Sequence, residues 1–220
     1  MAVAWNDDPP GSETRIAANI RAVAARIYGD APQRQQPSLA VAQDWHRAVY
    51  AGVPLPVPYY AGEFRDSDRR FPELIDYEVQ IGRARGVPAA EVPNELHSLQ
   101  TRARNAVVGP DRAMPVGSAP ATPLELRSVL LLAANLHGEW VRIHPFANGN
   151  GRIGRLWVIW VAARYGLPPF IGLKPRPAGL PYAAAALASM SGQHTLMAAV
   201  LGQMLDDYLK SSPQQRDRKW

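Results

Sequence analysis

The segment His144-Pro-Phe-Ala-Asn-Gly-Asn-Gly-Arg-Ile-Gly-Arg155 is the most informative part of this sequence for predicting fold and function. A glycine-spaced turn follows the histidine, and two arginines follow the turn at an interval of three residues. The apolar run 156–165 then has the length and composition of a buried helix. Backbone N–H groups at the start of a helix, together with its dipole, attract anions. Arginine forks add donors for phosphate oxygens, and histidine takes a proton near neutral pH. The segment therefore predicts a polyphosphate cradle with a base beside it.

The surrounding sequence predicts an all-α domain with one small β-hairpin. Apolar residues at helical spacing predict amphipathic helices over 14–28, 38–52, 92–107, 122–142, 152–165, 182–190 and 195–209. The helix from Thr122 has a threonine N-cap, a proline in its first turn and Glu125 at the capping-box position. Phe64-Arg65 and the run 77–82 have strand character on either side of a charged turn, which predicts the hairpin. A Gly/Pro-rich linker is expected at 108–121 and a loose arm at 1–11.

Bulk composition limits the classes of protein. The chain has 220 residues, 47% of them apolar, which suits one ordinary domain with a real core. No apolar run approaches the ~18 residues of a membrane span, and the polar start does not resemble a secretory signal. Cysteine is absent, which excludes disulfides and thiolate chemistry and, with no signal, favours the cytosol. The net charge of +5 allows a nucleic-acid binder, but the basic residues are scattered without interleaved aromatics, which disfavours that class.

At residues 144–155 the chain resembles the Fic-domain motif, His-x-Phe-x-Asp/Glu-Gly-Asn-Gly-Arg-x-x-Arg, at every fixed position except one. The resemblance extends over about 38–209, with 61–65 and 79–82 similar to the segment that forms the family's flap hairpin. It implies an arm and helix at 1–37, a Fic-type helical bundle with a small β-hairpin flap at 38–209 and a polar tail at 210–220, expected to be disordered.

The resemblance also implies a protein adenylyltransferase, which moves AMP from ATP with Mg²⁺ onto a Ser, Thr or Tyr hydroxyl of a target protein. His144 would be the general base, and Phe146 would anchor the loop. Gly149, Asn150 and Gly151 would surround the phosphates, while Arg152 and Arg155 would hold the β- and γ-phosphates. An unperturbed histidine pKa of about 6.5 leaves the imidazole mostly neutral at pH 7, as a base requires.

The one departure from the motif is Asn148, where the family usually has the carboxylate that binds Mg²⁺. An asparagine oxygen can ligate the ion but brings no charge, so the expected metal site is weakened. Alternatives therefore stay open: a Fic-type transferase with another phosphate donor, or a non-catalytic module that holds a nucleotide or a partner.

Regulation and location follow only as expectations from the resemblance. Many family members are held inactive by a helix with Ser/Thr-x-x-x-Glu, and residues 14–19 have that outline with Ala18 in place of the glutamate. The inhibitor is then expected either in a small antitoxin-like partner or not at all. The expected setting is a bacterial toxin in the cytoplasm, or a secreted effector in a recipient cytosol, with neither nucleic acid nor membrane as partner. The remaining histidines, at positions 46, 97, 137 and 194, are expected to be structural, and Trp140, Trp157 and Trp160 to lie in the core. Arg65 is expected to pin the hairpin to the core.

Overall fold

A computed structural model describes residues 3–6 and 8–212, and these form a helical bundle with one two-stranded hairpin. Four short 3₁₀ turns lie at 31–33, 58–60, 72–74 and 89–91. The strands β1 (Gln80–Ile81) and β2 (Ala84–Arg85) are antiparallel, with Gln80 opposite Arg85. The α-helices are α1 (Glu13–Asp30), α2 (Leu39–Val49), α3 (Val92–Ala113), α4 (Pro123–Ile143), α5 (Asn150–Arg164), α6 (Leu180–Ser189) and α7 (Thr195–Lys210). The predicted fold class, all-α with a small hairpin, is confirmed.

The central helix is α5, which is apolar on every side from Leu156 to Ala163 and almost completely buried. It packs against α4, α1 and α2, and all of them contribute to one hydrophobic cluster. A helix that is hydrophobic all round is stable only when other helices surround it. The core therefore fixes the start of α5, and with it the glycine turn that precedes the helix.

Local sequence signals at two helices are confirmed. The Thr122 hydroxyl accepts a hydrogen bond from the Glu125 amide at 3.2 Å, and the Glu125 carboxylate accepts one from the Thr122 amide at 3.0 Å. Both halves of the capping box are present, so α4 begins where the sequence predicts. In α1 the predicted apolar face is the buried face: Ile16, Ile20, Val23, Ala24 and Ile27. The three tryptophans predicted to lie in the core are buried.

The predicted linker at 108–121 is wrong in its first part, because α3 continues to Ala113. Pro110 lies in the last turn and removes one backbone hydrogen bond there, whereas Gly109 before it has no Cβ to clash with the proline ring. The Asp111 carboxylate accepts hydrogen bonds from the Arg164 guanidinium and, at 2.9 Å, from the Tyr165 hydroxyl. These contacts from α5 hold the last turn of α3 in helical conformation.

The hairpin is present, but only one of the two segments predicted as its strands takes part in it. It is formed entirely within 80–85, and Phe64-Arg65 lies in a loop outside it. Phe64 is buried against Trp140 and Phe146, so its apolar character reflects core packing and not strand pairing.

The prediction of a loose N-terminal arm is wrong for the described residues of that arm. The Trp5 side chain is 3% exposed and packs edge-on against Tyr50, with ring centroids 4.7 Å apart. Burial of this ring, together with the hydrogen bonds that the arm makes, opposes the entropy cost of ordering the segment. The predicted domain boundaries at 37/38 and 209/210 stay a prediction, and the expected disorder of the tail falls largely on residues 213–220, outside the described residues.

Candidate active site

The loop between α4 and α5 is fixed by unusual backbone conformations at its two ends. His144 ends α4 in the left-handed region with φ 51°, and its amide donates to the Trp140 carbonyl at 3.0 Å. Gly149 begins α5 with φ 77°. A Cβ on Gly149 would lie 2.5 Å from the Tyr50 hydroxyl oxygen, so position 149 requires glycine for space as well as for φ.

Two residues, Phe146 and Asn150, hold the shape of the loop through packing and hydrogen bonds. The Phe146 ring is completely buried and stacks on the His46 ring, with centroids 3.8 Å apart. The Asn150 side chain accepts from the Phe146 amide at 3.0 Å and donates to the Phe146 carbonyl at 2.8 Å. Phe146 therefore lies under the loop and does not line the cavity described below, and the Asn150 side chain closes the loop while its backbone faces that cavity.

His46, on α2, connects the loop to the segment that follows α2. The Gly62 amide donates to its Nδ1 at 2.9 Å, so the ring proton is on Nε2 and is donated to the Asn148 carbonyl at 3.0 Å. Burial lowers the pKa of His46 to about 3, which outweighs the opposite effect of the bond to Asn148. His46 is therefore a neutral structural histidine, as the sequence predicts, and its position under the loop is what the sequence did not indicate.

The His144 ring lines the same cavity as the glycine turn. Its Nδ1 bonds to the Val141 carbonyl, which can only accept, so Nδ1 carries the proton and Nε2 keeps its lone pair. Burial lowers the pKa of His144 to about 4; the bond to Val141 raises it and the charge of Arg65 lowers it further. A neutral imidazole with a free Nε2 is the form that a general base needs.

Arg65 ties the hairpin, the histidine and the core together. Its side chain is fully buried and donates to the carbonyls of Tyr77, Val87, Ile143 and His144 at 2.7–3.0 Å. This confirms the prediction that Arg65 pins the hairpin. Where the chain leaves the hairpin, a Cβ on Gly86 would lie 2.9 Å from the Cβ of His144, so the backbones meet there without room for a side chain.

Both motif arginines line the cavity, on one side of α5. Arg155 is buried and donates from Nε and Nη2 to the Leu173 carbonyl at 3.2 and 2.9 Å. Arg152 donates to the Tyr50 hydroxyl and to the carboxylate of Asp8. The amides of Asn150 and Gly151, in the first turn of α5, have no acceptor within the helix and so can serve an anion.

The cavity has a volume of about 680 Å³, large enough for a nucleotide. Its wall includes every predicted site residue except Phe146: His144, Asn148, Gly149, Asn150, Gly151, Arg152 and Arg155. Two further cations, Lys174 and Arg176, also line the cavity, and sequence reasoning missed both. The predicted roles of these residues stay predictions, but the residues do lie around one cavity.

A carboxylate-bound Mg²⁺ does not fit the described side chains well. The Asn148 Oδ1 accepts a hydrogen bond from the Gly149 amide at 2.6 Å, which uses one of the two lone pairs on the oxygen that the predicted metal site would use. Glu78 lies in the wall with its side chain 61% exposed and 3.9 Å from Arg65. Within 3–6 and 8–212 there is no group of three His, Asp or Glu side chains that could hold a metal ion.

Comparison with known proteins agrees with the motif. The model of the Fic/DOC family matches residues 36–162. The chain belongs to the Fic/DOC family.

Two solved structures share the fold of this Fic/DOC chain. One is a Fic domain containing signaling protein from Bacteroides thetaiotaomicron, with a TM-score of 0.61, 19% identity, and coverage of 91% of this chain and 71% of that one. The other is the BepC protein of Bartonella tribocorum, a VirB-translocated effector with bound AMPPNP, with a TM-score of 0.60, 14% identity, and coverage of 93% and 92%.

A curated relative is the uridine 5'-monophosphate transferase of Xanthomonas campestris pv. campestris, which is 51% identical over 37 residues. The match covers 17% of this Fic/DOC chain and 7% of that protein, so the chain corresponds to a small part of its length. In the described part of the chain, no helix has the length and apolar character needed to cross a bilayer.

Proposed function

We propose that the protein transfers a nucleoside monophosphate, AMP in the first instance, from its triphosphate to a Ser, Thr or Tyr hydroxyl of a target protein. The observation that carries the proposal is the orientation of His144: its Nδ1 is held by the Val141 carbonyl, and the ring lines the cavity that Arg152 and Arg155 also line. Family membership and the short match to a uridine 5'-monophosphate transferase support nucleotide transfer as the class of reaction.

In the proposed reaction the acceptor oxygen attacks the α-phosphorus while its proton passes to Nε2 of His144. The bond from that phosphorus to the bridging oxygen breaks, and pyrophosphate leaves with the electron pair. Negative charge grows on the phosphate oxygens, so the first-turn amides of α5 and the guanidinium groups stabilise the transition state. Each of these steps uses groups of the chain itself. Mg²⁺ held by Asn148 stays a prediction, and any such ion would have to come with the triphosphate.

The target chain would lie along the hairpin, where β1 is an edge strand. Backbone hydrogen bonds to an edge strand align an extended segment without reading much of its sequence. Such an arrangement would bring an acceptor hydroxyl toward His144, because Val79, Gln80 and Ile81 line the same cavity as the histidine.

The nature of the donor is tested by incubating the protein with bacterial and eukaryotic lysates and ATP or UTP labelled at the α- or γ-phosphate. Label from α-labelled ATP on a protein band, lost in His144→Ala, is the expected result. Transfer of label from UTP alone would identify UTP, and not ATP, as the donor. Transfer of label from the γ-phosphate alone would indicate a kinase.

The competing candidate is a non-catalytic module that binds a nucleotide or a partner. Asn148 favours the non-catalytic module, because its neutral side chain provides no negative charge for binding a metal ion. Calorimetric binding of ATP without any labelled product on any lysate would support this candidate and contradict the proposed transfer.

A further inference from the structure

A buried hydrogen bond joins α6 to α4 close to Arg155. The Tyr182 hydroxyl lies 2.9 Å from Nε2 of His137, and the two rings meet edge to face, with centroids 5.7 Å apart. Tyr182 is 6% exposed and His137 is fully buried. A Cβ on Gly154, the residue before Arg155, would lie 3.2 Å from Cδ2 of His137, so the histidine packs on the backbone of α5 at that point. Neither ring lines the cavity that holds the motif residues.

The chemistry of the neighbouring groups fixes the direction of this hydrogen bond. Burial lowers the pKa of Arg155, and the interaction of its guanidinium with the Tyr182 hydroxyl opposes that effect. Arginine can only donate, so the hydroxyl presents its oxygen to Arg155 and its proton to Nε2 of His137. Nε2 can accept only in a neutral ring, and burial lowers the pKa of His137 to about 3. The three side chains therefore form one chain of polar contacts, which begins at the cavity and ends in the core.

The charge of Arg155 is balanced by dipoles. Within the described ranges 3–6 and 8–212, no carboxylate forms an ion pair with this guanidinium. The Leu173 carbonyl accepts from Nε and Nη2, and the Tyr182 oxygen is the second dipolar partner. A Cβ on Gly151 would lie 3.5 Å from Nη1, which places that nitrogen beside the glycine turn. Dipoles order a guanidinium without neutralising it, so it loses little side-chain entropy when an anion binds.

We propose that Tyr182 and His137 are positioning residues for Arg155, and that they keep its guanidinium ordered in the cavity wall before a polyphosphate binds. The identity of the ligand rests on the proposed function, whereas the positioning rests on the contacts of the three side chains. Loss of the phenol oxygen leaves a buried guanidinium with one dipolar partner in place of two. Loss of the acceptor on His137 frees the hydroxyl to turn its proton toward the arginine.

The first experiment measures the binding of ATP, sodium tripolyphosphate and AMP by calorimetry in wild type and in Tyr182→Phe, which removes the hydroxyl and keeps the ring. Binding of ATP and of tripolyphosphate is expected to weaken at least about fivefold, because Arg155 loses one of its dipolar partners. Binding of AMP should not change, because AMP lacks the β- and γ-phosphates. A residue with only a structural role would weaken the binding of all three ligands alike, or of none.

A second set of variants tests whether the effect acts through the arginine. In the Arg155→Met background, Tyr182→Phe is expected to cause no further loss of affinity for either polyphosphate, since the residue that it positions is absent. His137→Leu should weaken ATP binding as Tyr182→Phe does. His137→Gln, whose amide oxygen can accept from the hydroxyl, should bind ATP like wild type. If Tyr182→Phe does not fold, the comparison of the two His137 variants carries the test.

Tyr165→Phe is the matched control. The Tyr165 hydroxyl also makes a hydrogen bond in the interior, to Asp111 at 2.9 Å, but the residue does not line the cavity. This variant should lower the melting temperature and leave all three affinities unchanged.

Three results would overturn the positioning role: unchanged ATP binding in Tyr182→Phe, an equal loss of affinity for AMP, or no measurable binding of either polyphosphate to wild type. The two proposals can also fail separately. Weakened polyphosphate binding in Tyr182→Phe, without transfer from any labelled nucleotide by wild type, would support the positioning role and contradict the transferase. Transfer by wild type with unchanged ATP binding in Tyr182→Phe would have the opposite meaning.

Discussion

At the scale of single residues, the partner of each ring nitrogen decides what a buried histidine can do. The Nδ1 of His46 accepts a hydrogen bond from the Gly62 amide, and its Nε2 donates one to the Asn148 carbonyl, so both ring nitrogens are used in holding the loop. His144 uses only Nδ1, toward Val141, and its other nitrogen stays available. Two histidines with lowered pKa values thus have different predicted roles, one in positioning and one in chemistry.

The pH dependence of transfer should reflect the environment of His144. Because burial lowers the pKa of this base to about 4, we expect kcat/KM to stay constant from pH 8 to about 5 and to fall below that, toward pH 4. His144→Ala should lose about 10²- to 10⁴-fold in rate. Initial rates with labelled ATP, measured alongside circular dichroism to confirm folding, check this. A midpoint near 6.5 would show that the histidine is solvated during turnover.

Asn148→Asp should make nucleotide binding depend on Mg²⁺. An aspartate can keep one oxygen on the Gly149 amide and offer the other, with a charge, to the ion. We expect Mg²⁺ to tighten ATP binding to the variant at least about tenfold more than it tightens binding to wild type, as measured by calorimetry with and without EDTA. An equal effect of Mg²⁺ on both proteins would mean that position 148 does not contact the ion.

At the scale of secondary-structure elements, the hairpin is stabilised mainly by one side chain. β1 and β2 have two residues each, too few for an independent hairpin. Arg65 compensates by donating to carbonyls on both sides of the hairpin and at the end of α4. The hairpin, which would align the target, and the His144 loop are therefore held by the same guanidinium.

Arg65→Met should lower the free energy of unfolding by about 3–5 kcal/mol, because four buried carbonyls lose their donor. Urea denaturation followed by circular dichroism measures it. Arg83→Met, which removes an exposed arginine between the two strands, is the control and should change stability by less than about 0.5 kcal/mol. Similar effects of the two substitutions would contradict the pinning role of Arg65.

How well an element could be predicted depended on whether its signal was local. The start of α4 is specified by Thr122 and Glu125, and the inner face of α1 by its helical spacing, so both were predicted correctly. The extension of α3 past Pro110 depends on Asp111 meeting Arg164 more than fifty residues later, and no local pattern carries that information. The same holds for Phe64, whose apolar side chain indicates burial but not the kind of element that buries it.

At the scale of the whole molecule, three histidines with lowered pKa values should make the fold sensitive to mild acid. Burial lowers the pKa of His46 and His137 to about 3 and that of His144 to about 4. In the unfolded chain these groups bind protons below about pH 6.5. The folded protein excludes those protons, so stability present above pH 6.5 is lost as the pH falls toward 4.

We expect the free energy of unfolding to drop by about 4 kcal/mol between pH 7 and pH 5.5, because each of the three groups loses about 1.4 kcal/mol over the one pH unit below 6.5. Urea titrations at several pH values test it. His46→Gln should reduce the slope by about one third. A free energy of unfolding that does not change over this interval would mean that the histidines are protonated in the folded protein.

Of the residues around the candidate site, the sequence predicted only those of the motif. The motif segment 144–155 is continuous in sequence, so its residues could be recognised together. The rest of the wall comes from Trp5, the hairpin segment and the 174–176 turn, which approach the motif only in the folded chain. A basic pair around a proline at 174–176 was visible in the sequence, but nothing there indicated which cavity it would face.

The close approach of Gly86 to His144 divides the hairpin into two parts that can vary to different degrees. At its base, a side chain at position 86 would press on the Cβ of His144 and displace the histidine. At its tip, residues 80–85 are partly or fully exposed and carry no such restriction. Under the proposed function, exchange of tip residues would change which polypeptides bind along the hairpin, while His144 and its surroundings stay the same.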